Sequence, residues 1–143
     1  MRDTDPAFVR DLSDSRVEAL IETMFLAATA DGELSPEERS QFKQSVEQHT
    51  GRVVTGEKLD LLIDQAKSAL SASSREARLA TIRERLTDPD ARRLALALAI
   101  RVTAVDGIVR TSERELIMET AQALEIDGNT AADLVREITT QSA

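Results

Sequence analysis

Two stretches of the chain carry acids at the same spacing. Asp31-Gly32 precedes Glu38, and Asp106-Gly107 precedes Glu113, so Asp and Glu stand seven apart in both. Carboxylates in this pattern could hold a hard cation such as calcium, magnesium or manganese, which take oxygen ligands. Each stretch looks like the second half of an EF-hand loop, where Asp precedes a glycine and Glu closes the loop six residues after it. The first half is missing. The first and third ligand positions fall on Ala27 and Thr29 in one copy and on Val102 and Ala104 in the other, none of them a carboxylate. One copy alone offers two carboxylates, too few for a tight calcium site. If the two turns meet, Asp31, Glu38, Asp106 and Glu113 supply four. Glu33 and Glu37 could add to one side only, because Ile108 and Ser112 stand at the matching positions. Four clustered carboxylates repel one another. A bound cation would relieve that, and so would the adjacent Arg39 and Arg114.

The same residues also suit a purely structural role. Asp-Gly is an ordinary helix stop, and Ser35-Pro36-Glu37-Glu38 an ordinary helix start. Glutamate near a helix N-terminus is favoured by the dipole without any ligand. Capping does not, however, require Asp and Glu seven apart in both copies. Both readings are open on the sequence.

Little other chemistry is available. The chain of 143 residues lacks cysteine, tryptophan and tyrosine. That excludes a thiol nucleophile, a disulfide framework, a zinc ribbon and an iron–sulfur cluster. His49 is the only histidine, so no multi-histidine metal centre can form within one chain. It falls near the end of the second helical segment, where the dipole favours a charged imidazole. No P-loop, G-x-G-x-x-G or G-x-S-x-G occurs, and no organic cofactor or enzymatic activity is expected. A net charge of −8 argues against nucleic acid as a partner, since that affinity rests on neutralising phosphates with Lys and Arg. No N-terminal apolar segment follows Met1, and the longest apolar run, Leu94 to Ile100, falls far short of the roughly 20 residues of a membrane span. A cytoplasmic protein without membrane insertion is expected.

The acidic turns must be positioned by helices. The chain is 41% hydrophobic with only 2% aromatic residues, so its core must be built from Ala, Leu, Ile and Val in close helix packing. The first twelve residues show no periodicity and read as a flexible tail, with one domain over residues 13–143. Seven helical segments follow and no strand pair is found. The first runs from about Arg16 to Ala30, with Ser15 and Glu18 as a capping box and Asp31-Gly32 as its stop. The second starts at Pro36 behind Ser35, the third follows Thr55, and the fourth covers Arg75 to Leu86. Asp88-Pro89 opens the fifth, which is apolar on nearly every side and expected to be the most buried. The sixth starts near Thr111 or Ser112. Gly128 is read as a break before a short last helix opened by Thr130 and Asp133. Arg75, Arg78, Arg83, Arg85, Arg92 and Arg93 make the middle of the chain locally basic. Helical spacing spreads them over a solvated, ion-paired surface, with a docking patch for an acidic partner as the alternative.

An offset of 75 relates the two acidic stretches and continues without a gap. Thr55 meets Thr130, Leu59 meets Leu134 and Ile63 meets Ile138. Helices one to three thus resemble helices five to seven, and an all-α bundle with an internal duplication and an approximate twofold axis is expected.

The run from Phe25 through Asp31-Gly32-Glu33-Leu34-Ser35-Pro36-Glu37-Glu38 to Arg39 resembles the signature of TerB-like domains, a family named for a tellurite-resistance protein. The N-terminal region of the co-chaperone DjlA has a similar turn. The second copy, Ala104 to Glu113, sits where that family has its second acidic helix junction, although Ile108 and Arg110 are less typical. The resemblance covers about residues 15 to 140. It implies a compact helical bundle whose acidic turns chelate a cation, with Asp31, Glu38, Asp106 and Glu113 as ligands. It also implies a stress-response setting beside membrane-associated or metal-handling protein partners. Co-chaperone activity is not implied, because His49 stands in His49-Thr50-Gly51 and not in an HPD tripeptide. The alternative function is an interaction scaffold that uses its charged helix faces and no metal.

Overall fold

A computed structural model describes residues 14–30, 32–104 and 110–142. Among these residues the chain forms seven α-helices and no strand. They are α1 (Asp14–Ala28), α2 (Pro36–His49), α3 (Gly56–Ala72), α4 (Arg75–Arg85), α5 (Pro89–Thr103), α6 (Thr111–Ala123) and α7 (Gly128–Ser142). Local chemistry accounts for three of the starts. Ser35 and Glu38 form the expected capping box ahead of Pro36. Ser74 Oγ accepts the Ala77 N–H, and Asp88 Oδ1 accepts the Asp90 N–H ahead of α5.

Two starts differ from the sequence reading. Asp14, where the described residues begin, is already helical, so Ser15 lies inside α1 and does not cap it. Gly128 is the first residue of α7, not a break before it. Residues near a helix start need no hydrogen bond to a preceding turn, so glycine is tolerated there. The expected tail at residues 1–12 lies outside the described residues.

Helix α5 explains the architecture. Its faces serve two cores. Ala91, Leu94, Ala95 and Leu98, at helical spacing, pack into the larger core with α1, α2, α3 and α4. Leu96, Ala97 and Ile100 pack into a second core with Ile117 and Ala121 of α6 and Ala131, Leu134 and Ile138 of α7. A helix with a core on each side must be apolar nearly all round, as Leu94 to Ile100 is. Its most extensive neighbour is α1, buried continuously from Ala19 to Ala27. The two form the central pair. Phe25 of α1 meets Phe42 of α2 edge to face, with ring centroids 6.1 Å apart, which ties α2 to this pair.

One charged residue enters the α1 interior. Glu22 is 6% exposed and receives a two-pronged contact from Arg78 of α4. Arg78 Nε donates to Oε2 at 2.5 Å and Nη2 donates to Oε1 at 2.9 Å. The hydrogen bonds to Glu22 raise the Arg78 pKa against the opposing effect of burial. Arg78 was expected on the surface and is instead turned inward onto α1. A buried carboxylate needs such a partner, because an unpaired charge there is costly.

Candidate functional site

Helix α1 ends at Ala28, and a turn follows in which Gly32 N–H donates to the Thr29 carbonyl at 3.0 Å. Gly32 has φ +132°, a conformation that side-chain-bearing residues rarely adopt. Glu33 and Ser35 are exposed. Glu38 is the third residue of α2, and its Oε1 accepts the Ser35 N–H at 2.9 Å. Ser35 Oγ accepts the Glu38 N–H in return at 3.1 Å. Asp31 and Asp106 lie outside the described residues.

At the second junction Glu113 is the third residue of α6, and its Oε1 accepts the Arg110 N–H at 2.9 Å. The two glutamates expected as ligands therefore hold equivalent places, each closing the start of its own helix. That is the structural role read beside the chelating one. It does not exhaust either side chain, since a carboxylate has two oxygens and about four acceptor sites. Among the described residues no group of three or more His, Asp or Glu side chains could hold a metal ion. Exposed Glu33 and Glu37 therefore form no such group with Glu38.

A small apolar cluster joins α1, α5 and α6. Ala27 of α1, Ala99 of α5 and Leu116 of α6 pack together, with Ala30 against them. Ala30 directly precedes Asp31, and Leu116 follows Glu113 by three residues.

The arginines after the two glutamates do not act alike. Arg39 turns to α3, where Nη1 donates to Asp64 at 3.0 Å and Nη2 donates to Asp60 at 3.2 Å. Burial opposes its charge, but the bonds to Asp64 and Asp60 outweigh that and raise its pKa. Lys43 also donates to Asp60, at 2.9 Å. That bond, against a smaller opposing effect of burial and with help from Arg39, holds the Asp60 carboxyl below its ordinary value. Arg39 is thus committed to α3. Arg114 is exposed and borders a groove with Met118 and Ile126. A cavity of about 240 Å³ lies beside the first turn, between Phe25, Leu34, Ile63 and Leu70, with Glu33 and Lys67 on its rim.

Other residues from the sequence fall as follows. The basic stretch is largely ion-paired: Arg75 with Glu119, Arg78 with Glu22, Arg83 and Arg92 with Glu125, and Arg93 with Asp90. His49 ends α2, but burial and then the charge of Arg101 push its imidazole below the ordinary value. Those two effects oppose the dipole-favoured charge expected there. Sequence reasoning missed Glu22. The only signal was an acid set among Leu20, Ile21, Met24 and Phe25.

A family model described as tellurite resistance protein TerB matches residues 12–136. No curated protein and no solved structure matches.

Proposed function

The chain belongs to the TerB family, and from that premise we propose that it is a non-enzymatic binding module for a divalent cation. The ligands in this reading are Asp31, Glu38, Asp106 and Glu113. The observation that carries it is the Ala27, Ala99 and Leu116 cluster with Ala30, since it packs α1, α5 and α6 against one another, with Leu116 three residues after Glu113. Oxygen-only ligands suit calcium, magnesium or manganese. The setting that goes with this reading is stress response in the cytoplasm, beside protein partners in a membrane-associated or metal-handling complex. Among the described residues no helix is long and apolar enough to cross a membrane.

Calorimetric titration with each of the three ions tests the reading. Saturable heat with one of them is expected, lost when Asp31→Asn and Asp106→Asn are combined. No heat with any ion, or heat unchanged in the double variant, rejects it. The alternative scaffold reading now rests on fewer cations, because Arg78 is turned onto Glu22. Pull-downs from cell extract that are indifferent to Arg85→Glu would count against it.

A further inference from the structure

Helix α2 carries a stripe of uncharged polar residues on one side: Gln41, Gln44, Ser45 and Gln48, followed by His49. Their spacing of three and four places them on a single face. Phe42 and Val46 point to the core instead. The stripe looks across an open cleft of about 550 Å³ to Arg101 in the last turn of α5.

Three features of this cleft point to a ligand. The protein has a net charge of −8, yet among the described residues no carboxylate lines the cleft. Arg101 is half-buried there and has no ion pair among the described residues, whereas Arg39 and Arg78 are each held by carboxylates. Ser45 Oγ is buried and has no hydrogen-bond partner among the described residues. Thr23 and Thr50, by contrast, each donate to the carbonyl four residues back. A buried polar atom without a partner is rare enough to need a reason.

We propose that this cleft binds a phosphate-class oxyanion, either inorganic phosphate or the phosphate of a small monoester. Arg101 supplies the planar fork of N–H donors that suits such a group. Ser45 supplies a hydroxyl donor, and the amides of Gln44 and Gln48 and the imidazole of His49 supply others. Donors on two helices outnumber what the two oxygens of a carboxylate can accept, which favours phosphate. The C-terminal end of α5 favours a cation in its last turn, so Arg101 can keep its charge without a carboxylate. That field fades within a turn, while a charge-assisted bond to the ligand acts at contact. Neutral His49 gains a proton more readily beside an anion, because an opposite charge favours the charged form. Among the described residues, the other charged group bearing on His49 is Arg101, from α5.

His49 is the only histidine of the 143-residue chain, so that chain gives a single imidazole Hε1 signal in an NMR spectrum. Inorganic phosphate and glycerol phosphate are titrated separately, against sodium chloride at equal ionic strength. The expected result is a saturable movement of that signal with either phosphate and an upward shift in the pH at which His49 titrates. Chloride does neither. The tighter of the two names the source. Arg101→Gln weakens binding at least about tenfold, as loss of a charge-assisted contact does, and Ser45→Ala weakens it severalfold. No saturation with either phosphate overturns the proposal. So does affinity unchanged in both variants, with circular dichroism showing that each remains helical. Cation calorimetry on Arg101→Gln keeps this outcome separate from the acidic turns, whose titration it leaves intact.

Discussion

The two acidic junctions share a spacing and differ in how they are built. At the first, Ser35 and Glu38 satisfy each other's backbone N–H groups. At the second, Arg110 occupies the cap position, and a guanidinium has no acceptor to offer, so only the Glu113 half of the exchange exists. Glu38 is exposed, while the Glu113 side chain is 13% exposed. Arg39 is tied to α3, and Arg114 stands on the surface. Equal spacing therefore conceals unequal construction. The first junction is held by its own side chains. The second leans on its packing, chiefly through Leu116 against Ala27 and Ala99.

Removing that packing is the strongest way to break the comparison. Leu116 is 1% exposed, and Leu116→Ala should cost about 2–4 kcal/mol, the usual range for a buried leucine whose site cannot collapse. Urea unfolding measures it. A loss below about 1 kcal/mol would mean that the cluster does not hold the junctions together. On the proposed cation-binding reading, affinity should fall alongside stability, since α1 and α6 lose their shared support.

The caps give a finer test. Ser35→Ala should cost about 1 kcal/mol, as loss of an N-cap acceptor does. Arg110→Ala should change stability by less than about 0.5 kcal/mol, because the bond to Glu113 uses the Arg110 backbone and survives. Arg110→Ser should stabilise by roughly 0.5–1 kcal/mol by providing the missing acceptor. Equal losses from Ser35→Ala and Arg110→Ala would erase the distinction between the junctions.

The sequence carried the helices well where one local device decides a boundary. Ser35-Pro36 and Asp88-Pro89 start helices where capping chemistry says they should. The unbroken run Leu94 to Ile100 announced a helix buried on nearly every side, although not that its faces serve two cores. Partners brought in from another helix were not legible. Arg78 has the spacing of a surface residue and is drawn inward only because Glu22 lies opposite it, 56 positions earlier. The same holds for Arg39, whose partners on α3 decide that it does not serve the acidic turn. Helical period fixes a residue's face within its own helix. It cannot say what the neighbouring helix presents to that face.

The smallest effect concerns those two arginines. Arg39→Met should lower the melting temperature slightly and Arg114→Met should leave it unchanged, because among the described residues carboxylates hold Arg39 and not Arg114. The pH dependence identifies the cause. Lys43, and then Arg39, hold the Asp60 carboxyl below its ordinary value. A depressed carboxyl stabilises the fold while it is ionised in both states, above about pH 4, the ordinary aspartate range. That contribution is lost as pH falls below this range through the depressed value. The melting temperatures of the wild type and Asp60→Asn should therefore differ at pH 7 and converge in strong acid. Salt should narrow the gap at pH 7 as well, since exposed pairs are screened within about 3 Å at 1 M. A gap that persists in acid and in high salt would mean that Asp60 acts through packing, and that Arg39 is held at α3 by something other than its charge.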